Sequence, residues 1–151
     1  SAALDTSSVT EEDLAAIRPW AIKPNRAELC GYAGRPLETL DEMVAYGRHL
    51  VELGVEHCLV SLDKEGVLYL GEEKVIQVQV PEVDVVSQIG AGDSCFAGFI
   101  VGMSQGKPLE QAVCGAAAMG TAACLCTGAE PPKKLATASI LMRLQCQELE
   151  A

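Results

Sequence analysis

The sequence predicts an α/β fold with a mostly parallel sheet, and three observations lead to that class. Segments with helical periodicity alternate with short apolar runs of strand length along the 151 residues. The run HCLVSL (57–62) is apolar almost throughout, which is typical of a strand buried on both faces of a parallel sheet. No internal repeat, low-complexity linker or change of composition divides the chain. We therefore expect residues 1–151 to form a single α/β unit.

Local signals place the first elements. SSVTEEDLAAI (7–17) opens with Ser, Thr and acidic residues before an apolar periodicity, which predicts a helix that Pro19 ends. WAIKPN (20–25) predicts a short buried strand with a turn at its end. LETLDEMVAYGRHLVELG (37–54) has apolar residues near 3.6-residue spacing and predicts a long helix that terminates at Gly54.

Strands and then helices follow in the second half. GVLYLG (66–71) and KVIQVQVP (74–81), joined by acidic turn residues, predict an antiparallel hairpin within the sheet. Helices are expected over 93–105, 108–126 and 133–149. Strands alternating with helices in this way imply a parallel sheet, although the sequence alone leaves the strand order open.

Charge and hydropathy exclude several classes of partner. The formal net charge of −10 argues against nucleic acid or an anionic membrane, because both need clustered cations. The uncharged stretch 111–129 is mostly Ala and Gly, and it reads as a tightly packed helix rather than a membrane span. No basic region followed by an apolar one opens the chain, so we expect no signal peptide.

The cysteines indicate a reducing environment. The chain has seven, an odd count without a CxxC pair, and most lie in apolar stretches: Cys30, Cys58, Cys95, Cys114, Cys124, Cys126 and Cys146. Reduced thiols in a cytoplasmic protein fit this pattern better than a disulfide framework. A zinc site is not expected, because His49 and His57 have no partner at metal-ligand spacing.

The stretch IGAGDSCFAGF (89–99) contains the strongest chemical signal. A glycine-rich turn that enters a helix exposes backbone N–H groups and the positive end of the helix dipole, so Gly90, Ala91 and Gly92 can hold an anion. An aspartate beside a bound phosphate repels it unless it accepts a proton from an attacking hydroxyl, which makes Asp93 a candidate general base. The competing interpretation is that Asp93 or Ser94 only caps the helix.

Three ordered motifs resemble a known family. DVVSQIGAGDSCFAGFIVGM (84–103) is similar to the C-terminal signature of the ribokinase-like, or PfkB, carbohydrate kinases, and IKPNRAEL (22–29) and VSLDKEGVLYL (60–70) precede it in the order that family shows. KPNRAEL followed by AGRPL (33–37) is most similar to the members that act on phosphorylated hexoses. The similarity runs from near the N-terminus to about residue 129.

The resemblance implies a fold and a reaction. The fold is the ribokinase-like, Rossmann-like three-layer α/β/α architecture, of which this chain is the C-terminal, ATP-binding and catalytic portion without the N-terminal half and lid. It implies ATP as the phosphoryl donor, Asp93 as general base, and the backbone of Gly90, Ala91 and Gly92 as the anion hole.

Metal and phosphate contacts are also implied by the resemblance. Asn25 and Glu28 match the family's NxxE pair, which acts near Mg²⁺ and its waters. The alternatives are a strand-end turn for Asn25 and a solvated helix position for Glu28. Lys23 either meets a phosphate or is an ordinary exposed lysine.

The nucleotide loop of the family corresponds to Ser61, Asp63 and Gly66. The family commonly has glycine where this chain has Asp63 and threonine where it has Gln88, and both departures put the nucleotide contacts in question. Gly120 opens the segment 120–129, which resembles the wall beside the adenine or else packs closely between helices.

The expected partners follow from the same resemblance. They are a sugar-phosphate substrate together with the missing N-terminal half or an oligomeric partner, with no nucleic acid and no membrane. Two alternatives remain open: a ribokinase-like kinase with another acceptor, and a catalytically inert nucleotide-binding fragment.

Overall fold

The computed structural model describes residues 3–4, 9–81, 90–125 and 134–149. The chain divides into two compact units. The first contains Ser1–Leu62, Leu68–Val75 and Glu148–Ala151, and the second contains Asp63–Val67 and Ile76–Gln147. The expectation of one domain over residues 1–151 stays a prediction.

The first unit is built on neighbouring strands. Strands β1 (Ala3–Leu4), β2 (Ala21–Ile22), β3 (His57–Ser61) and β4 (Val67–Gly71) follow one another in that order. β1 pairs with β2 and β2 with β3, both in parallel, with Ala21 opposite His57 in the second pair. β3 is buried at its centre, as its continuous apolar run predicted.

Helices α1 (Glu11–Ile17), α2 (Arg26–Ala33) and α3 (Leu40–Glu52) complete the first unit. Thr10 caps α1 through a reciprocal hydrogen-bonded box with Asp13, so the predicted Ser/Thr and acidic start is correct. No bounds were predicted for helix α2 from the sequence, although one of the alternatives placed Glu28 in a helix. The apolar faces of these elements form one buried cluster: Leu14, Ile22, Leu29, Leu37, Met43, Tyr46, Leu50, Val55, Cys58, Val60, Leu62, Leu68, Leu70 and Val75.

A tight turn connects β4 to β5 (Val75–Gln79), as a hairpin requires. The Gly71 N–H donates to the Lys74 carbonyl at 2.9 Å, which leaves two acidic residues at the tip.

The second unit contains a 3₁₀ turn (Asp63–Glu65) and most of the C-terminal elements. These are α4 (Ala91–Ser104), α5 (Leu109–Ala123) and α6 (Lys134–Leu141), together with most of β5 and most of β6 (Gln145–Leu149), which lies beside β5. The predicted helices at 93–105 and 108–126 are present with slightly shifted ends. A Cβ at Gly98 would come within 3.1 Å of the Ala116 Cα, so α4 and α5 approach closely at small residues.

The prediction of one helix over 133–149 was wrong. α6 ends at Leu141, the Arg143 N–H donates to the Ile140 carbonyl at 2.9 Å in the closing turn, and Gln145–Leu149 is a strand. Gln, Glu and Leu favour helix locally, but helix propensity is weak and a sheet edge offers the backbone of this segment its hydrogen bonds.

Within the described ranges, no helix combines the length and the apolar character that crossing a bilayer requires. The stretch 111–129 was expected to be a packed helix, and its described part, through Ala123, is the largely buried helix α5.

Candidate active site

The glycine-rich turn opens α4. Gly90 is the residue before the helix and has a left-handed backbone with φ of 81° and ψ of −4°, a conformation that favours glycine. The Ser94 N–H donates to the Gly90 carbonyl at 2.9 Å and begins the helical hydrogen-bond pattern. The N–H groups of Ala91, Gly92 and Asp93 precede that first bond, so they have no partner within the helix and lie at its positive end.

Asp93 is the third residue of α4 and its side chain is exposed. No side chain caps this helix, so the interpretation of Asp93 or Ser94 as a helix cap is wrong. Across the described ranges, no hydrogen bond or ion pair engages the Asp93 carboxylate. A carboxylate one turn inside a glycine-rich helix start is therefore available to accept a proton. Residue Gln88 lies outside the described residues.

The packing of α5 fixes the first turn of α4. A Cβ at Gly120 would lie 3.0 Å from the Cys95 Cβ and 3.2 Å from the Ala91 carbonyl oxygen. These distances are tighter than ordinary contacts, so the absence of a side chain at Gly120 allows the helices to meet at the turn. The structure thus confirms that the helices pack closely at Gly120. The remainder of the predicted adenine wall, residues 126–129, lies outside the described residues.

The loop before β4 has two residues with left-handed backbones. Asp63 has φ of 52° and Gly66 has φ of 101°, and a Cβ at Gly66 would collide with the Val78 carbonyl oxygen. Only glycine fits at position 66. The φ of Asp63 lies in the region that favours glycine, and aspartate is one of the few other residues that tolerate it.

The Asp63 carboxylate lies near the end of α5. Burial raises the pKa of the Cys124 thiol, and the negative charge of Asp63 adds to that rise. Cys124 directly follows α5, four residues after Gly120. Asp63 of the predicted nucleotide loop and Cys124 of the predicted adenine-side segment therefore lie near each other in the second unit.

The first unit brings other predicted residues together at the ends of parallel strands. Asn25 and Ser61 form an isolated parallel bridge, and the Ser61 N–H donates to the Pro24 carbonyl at 3.0 Å. Lys23 is half-buried just after β2. Ligands of open α/β sheets bind at this carboxyl edge of the strands, where the sequence predicted these residues.

Asn25 and Glu28 form the capping box of α2. The Asn25 Oδ1 accepts from the Glu28 N–H at 2.7 Å, and the Glu28 Oε1 accepts from the Asn25 N–H at 3.1 Å. Sequence reasoning missed the start of this helix, although Asn followed three residues later by Glu is a helix-start signature. The turn expected at Asn25 is in fact the helix cap.

The donor set of this pair suits the water shell of Mg²⁺. The amide oxygen of Asn25 accepts from the helix, and the hydrogen bond within the capping box uses only the Oε1 of Glu28. Mg²⁺ retains several waters and needs few protein ligands, so one carboxylate oxygen that accepts from those waters fits its chemistry. In the part of the chain that the structure describes, no three His, Cys, Asp or Glu side chains cluster as a direct metal site.

The predicted residues thus fall into two groups. The first unit holds Lys23, Asn25, Glu28 and Ser61, and the second holds Asp63, Gly66, Gly90, Ala91, Gly92, Asp93 and Gly120. Their roles toward a ligand remain predictions.

Solved structures with the same architecture give the class of fold. Phosphofructokinase-2 from Escherichia coli in complex with substrates and products aligns over 93% of this chain with a TM-score of 0.83 and 29% identity. Arabidopsis thaliana ribokinase complexed with ribose and ATP aligns over 92% with a TM-score of 0.79 and 29% identity. The chain therefore has the ribokinase-like α/β fold that its motifs predicted.

Family membership follows from the sequence. The model of the pfkB family carbohydrate kinases matches residues 3–135, and the chain belongs to that family. It is 42% identical to 1-phosphofructokinase from Bacillus subtilis over 96 residues, which are 64% of this chain. The chain spans 32% of the length of that relative and 46% of each solved structure.

Proposed function

We propose that this chain carries the ATP-binding and phosphoryl-transfer side of a kinase that converts fructose 1-phosphate and ATP to fructose 1,6-bisphosphate and ADP. The start of α4 supports this proposal most directly, because one turn combines a left-handed glycine, N–H groups without a partner inside the helix, and an exposed Asp93 that pairs with no described residue. The likeness to 1-phosphofructokinase supports fructose 1-phosphate as the acceptor in this proposal.

In the proposed reaction Asp93 accepts the proton of the acceptor hydroxyl. The hydroxyl oxygen then bonds to the γ-phosphorus, and the bond from that phosphorus to the bridging oxygen of ADP breaks. The N–H groups at the start of α4 donate to the phosphoryl oxygens as their charge redistributes, which is the electrostatic stabilisation that such catalysis depends on.

The other predicted residues complete the proposal. Ser61, Asp63, Gly66 and Gly120 line the nucleotide and Lys23 meets a phosphate. Glu28, held by Asn25, accepts hydrogen bonds from the waters of Mg²⁺. The metal supplies charge neutralisation on the β- and γ-phosphates. We expect this reaction in the cytoplasm, because the odd number of cysteines without a CxxC pair suits a reducing compartment.

Other acceptors belong to the same mechanism. Tagatose 6-phosphate and the non-phosphorylated sugars of ribokinase-like enzymes offer the same attacking hydroxyl. The residues that select the acceptor are expected in the N-terminal half of the family's members. The identity of the acceptor therefore has to be tested by assaying candidate sugars.

The mechanism is tested by Asp93→Asn in a fusion of this chain behind the N-terminal portion of the Bacillus subtilis relative. Loss of the base is expected to lower kcat by about 10²-fold to 10⁴-fold while MgATP affinity changes little. The matched control is Asp41→Asn, which removes an exposed carboxylate from the first turn of α3. Turnover of the Asp93 variant equal to that of the control contradicts the assignment.

One observation favours a second candidate, a nucleotide-binding module without catalysis. Asp63 places an exposed carboxylate in the predicted phosphate loop, where its charge opposes the alignment of the phosphates that transfer requires. This candidate predicts MgATP binding by the fusion and no transfer to fructose 1-phosphate, tagatose 6-phosphate or ribose. Transfer to any of them excludes it.

A further inference from the structure

Two cysteine thiols contact each other away from the candidate active site. Cys114 lies on α5 and is half-buried, and Cys146 lies on β6 and is exposed. Their side chains share a hydrogen bond, and both residues belong to the second unit. No part of the proposed phosphoryl transfer uses either thiol.

The packing around Cys114 gives an independent reason for the contact. Leu144, which directly precedes β6, packs against the buried cluster of Ala118, Ala122 and Ile140. Cys114 lies one helical turn before Ala118 on the same face of α5, about 6 Å along the helix axis. Cys146 lies two residues after Leu144, about 6.7 Å along an extended chain and on the same side of it. The distance from Ala118 to Cys114 along α5 is close to the distance from Leu144 to Cys146 along the extended chain. The contact of Leu144 with Ala118 therefore brings Cys146 to Cys114.

This face of α5 is not the one that supports the glycine-rich turn. Ala112, Ala116 and Gly120 face α4, where Gly102, Gly98 and Cys95 meet them. Cys114 is two residues from both Ala112 and Ala116, which places it about 200° around the helix from each. The thiol pair can therefore change chemically without disturbing the contact between α4 and α5.

Other described cysteines are engaged differently. The Cys30 Sγ accepts from the Leu37 N–H at 3.3 Å, and the Cys124 thiol donates to the Gly120 carbonyl at 3.5 Å. Cys58 and Cys95 are buried. Cys114 and Cys146 combine a thiol partner with access to solvent, which a reversible disulfide needs.

We propose that Cys114 and Cys146 are a redox modification site that forms a reversible intramolecular disulfide between α5 and β6. With glutathione disulfide as oxidant, the exposed Cys146 thiolate attacks one of its sulfurs and releases one glutathione thiol. The Cys114 thiolate then attacks the Cys146 Sγ of that mixed disulfide and releases the second glutathione. The two protein thiols lose two electrons and two protons, and one glutathione disulfide becomes two glutathione thiols.

The order of attack follows from the surroundings of the two sulfurs. Burial raises the pKa of the Cys114 thiol, and the hydrogen bond with Cys146 and the Glu110 carboxylate add to that rise. Cys114 is therefore the resolving thiol, and its step is expected to quicken as the pH increases above neutral.

The test is incubation of the folded, reduced chain with glutathione disulfide, followed by intact mass and non-reducing peptide mapping. The wild-type chain is expected to lose two hydrogens and to yield a Cys114–Cys146 linked peptide. Cys114→Ala, which suits a helix, is expected to stop as a glutathione adduct on Cys146, and Cys146→Ser at an exposed position is expected to form no link to Cys114. Cys124→Ser is the matched control and keeps the link.

Three results overturn the proposal. One is a wild-type chain that is folded and stays glutathionylated on Cys146 without a link to Cys114 at pH values up to about 9. A second is linkage of Cys146 only to another chain. The third is an equal yield of the Cys114–Cys146 peptide from an unfolded sample, which would show that the fold does not direct the pairing.

Discussion

Backbone angles at single residues explain why glycine recurs around the candidate site. Gly90 and Gly66 have positive φ, and the carbonyl of Val78 leaves no room for a side chain at Gly66. Asp63 has the same kind of backbone but carries a carboxylate. Asp63 therefore has two effects: its positive φ has a conformational cost, and its carboxylate puts a negative charge beside the predicted polyphosphate site.

Substitution of Asp63 separates these two effects. Asp63→Gly is expected to retain or raise the free energy of unfolding. The free energy of unfolding of Asp63→Ala is expected to be about 1–2 kcal/mol lower than that of the glycine variant, because alanine tolerates the left-handed region poorly. Both variants remove the carboxylate, so both are expected to bind MgATP roughly fivefold more tightly, the equivalent of about 1 kcal/mol for charges about 4 Å apart in water.

Denaturant unfolding and calorimetric titration measure the two quantities. Arg18 is the other described non-glycine residue with positive φ, at 50°, and it ends α1. Arg18→Gly therefore serves as a control that changes the same backbone region without a change of MgATP affinity. Weaker MgATP binding by Asp63→Gly is the result that contradicts this account.

Small residues pack closely between α4 and α5 behind the turn that is predicted to bind an anion. Gly120 meets the first turn of α4, whereas nothing lies within 4 Å of a Cβ added at Gly115. Both glycines lie inside α5, and replacing either one by alanine improves the helix propensity by the same amount, about 0.5–1 kcal/mol of stability. Their surroundings alone distinguish them.

We expect Gly115→Ala to raise the free energy of unfolding by about 0.5–1 kcal/mol. Gly120→Ala is expected to lower it by on the order of 1 kcal/mol, because forcing Cys95 and the Ala91 carbonyl aside costs about 1–3 kcal/mol. MgATP affinity falls only for the Gly120 variant, since only that variant moves the turn. Equal stabilisation by both substitutions, with unchanged affinity, contradicts the positioning role of Gly120.

Elements also differ in how far the sequence predicts them. The helix that starts at Gly90 and the buried strand His57–Ser61 follow from turn chemistry and apolar patterning within the segment itself. The strand Gln145–Leu149 cannot be predicted in this way. Its residues are almost all exposed, without alternation of buried and exposed positions, and its partner strand β5 is distant in the sequence. The start of the helix Arg26–Ala33 is predictable from Asn25 and Glu28, which form its capping box. The resemblance to the family directs attention to a metal role for the same two residues instead.

The whole chain combines two compact units that each carry part of the predicted chemistry. The ribokinase-like fold and the pfkB family were predictable because three short motifs occur in the right order. The roles of single residues do not follow from the motifs in the same way, because a capping box and a magnesium-side pair use the same Asn and Glu. Only a ligand-dependent measurement separates those two uses.

The most direct test of the central claim is a calorimetric titration of the 151-residue chain with MgATP, with magnesium alone and adenosine as controls. The account predicts saturable binding of one MgATP, weakened by Gly120→Ala and strengthened by Asp63→Gly. Absence of binding in a sample that unfolds cooperatively would contradict the claim that this chain forms the ATP side of a pfkB kinase.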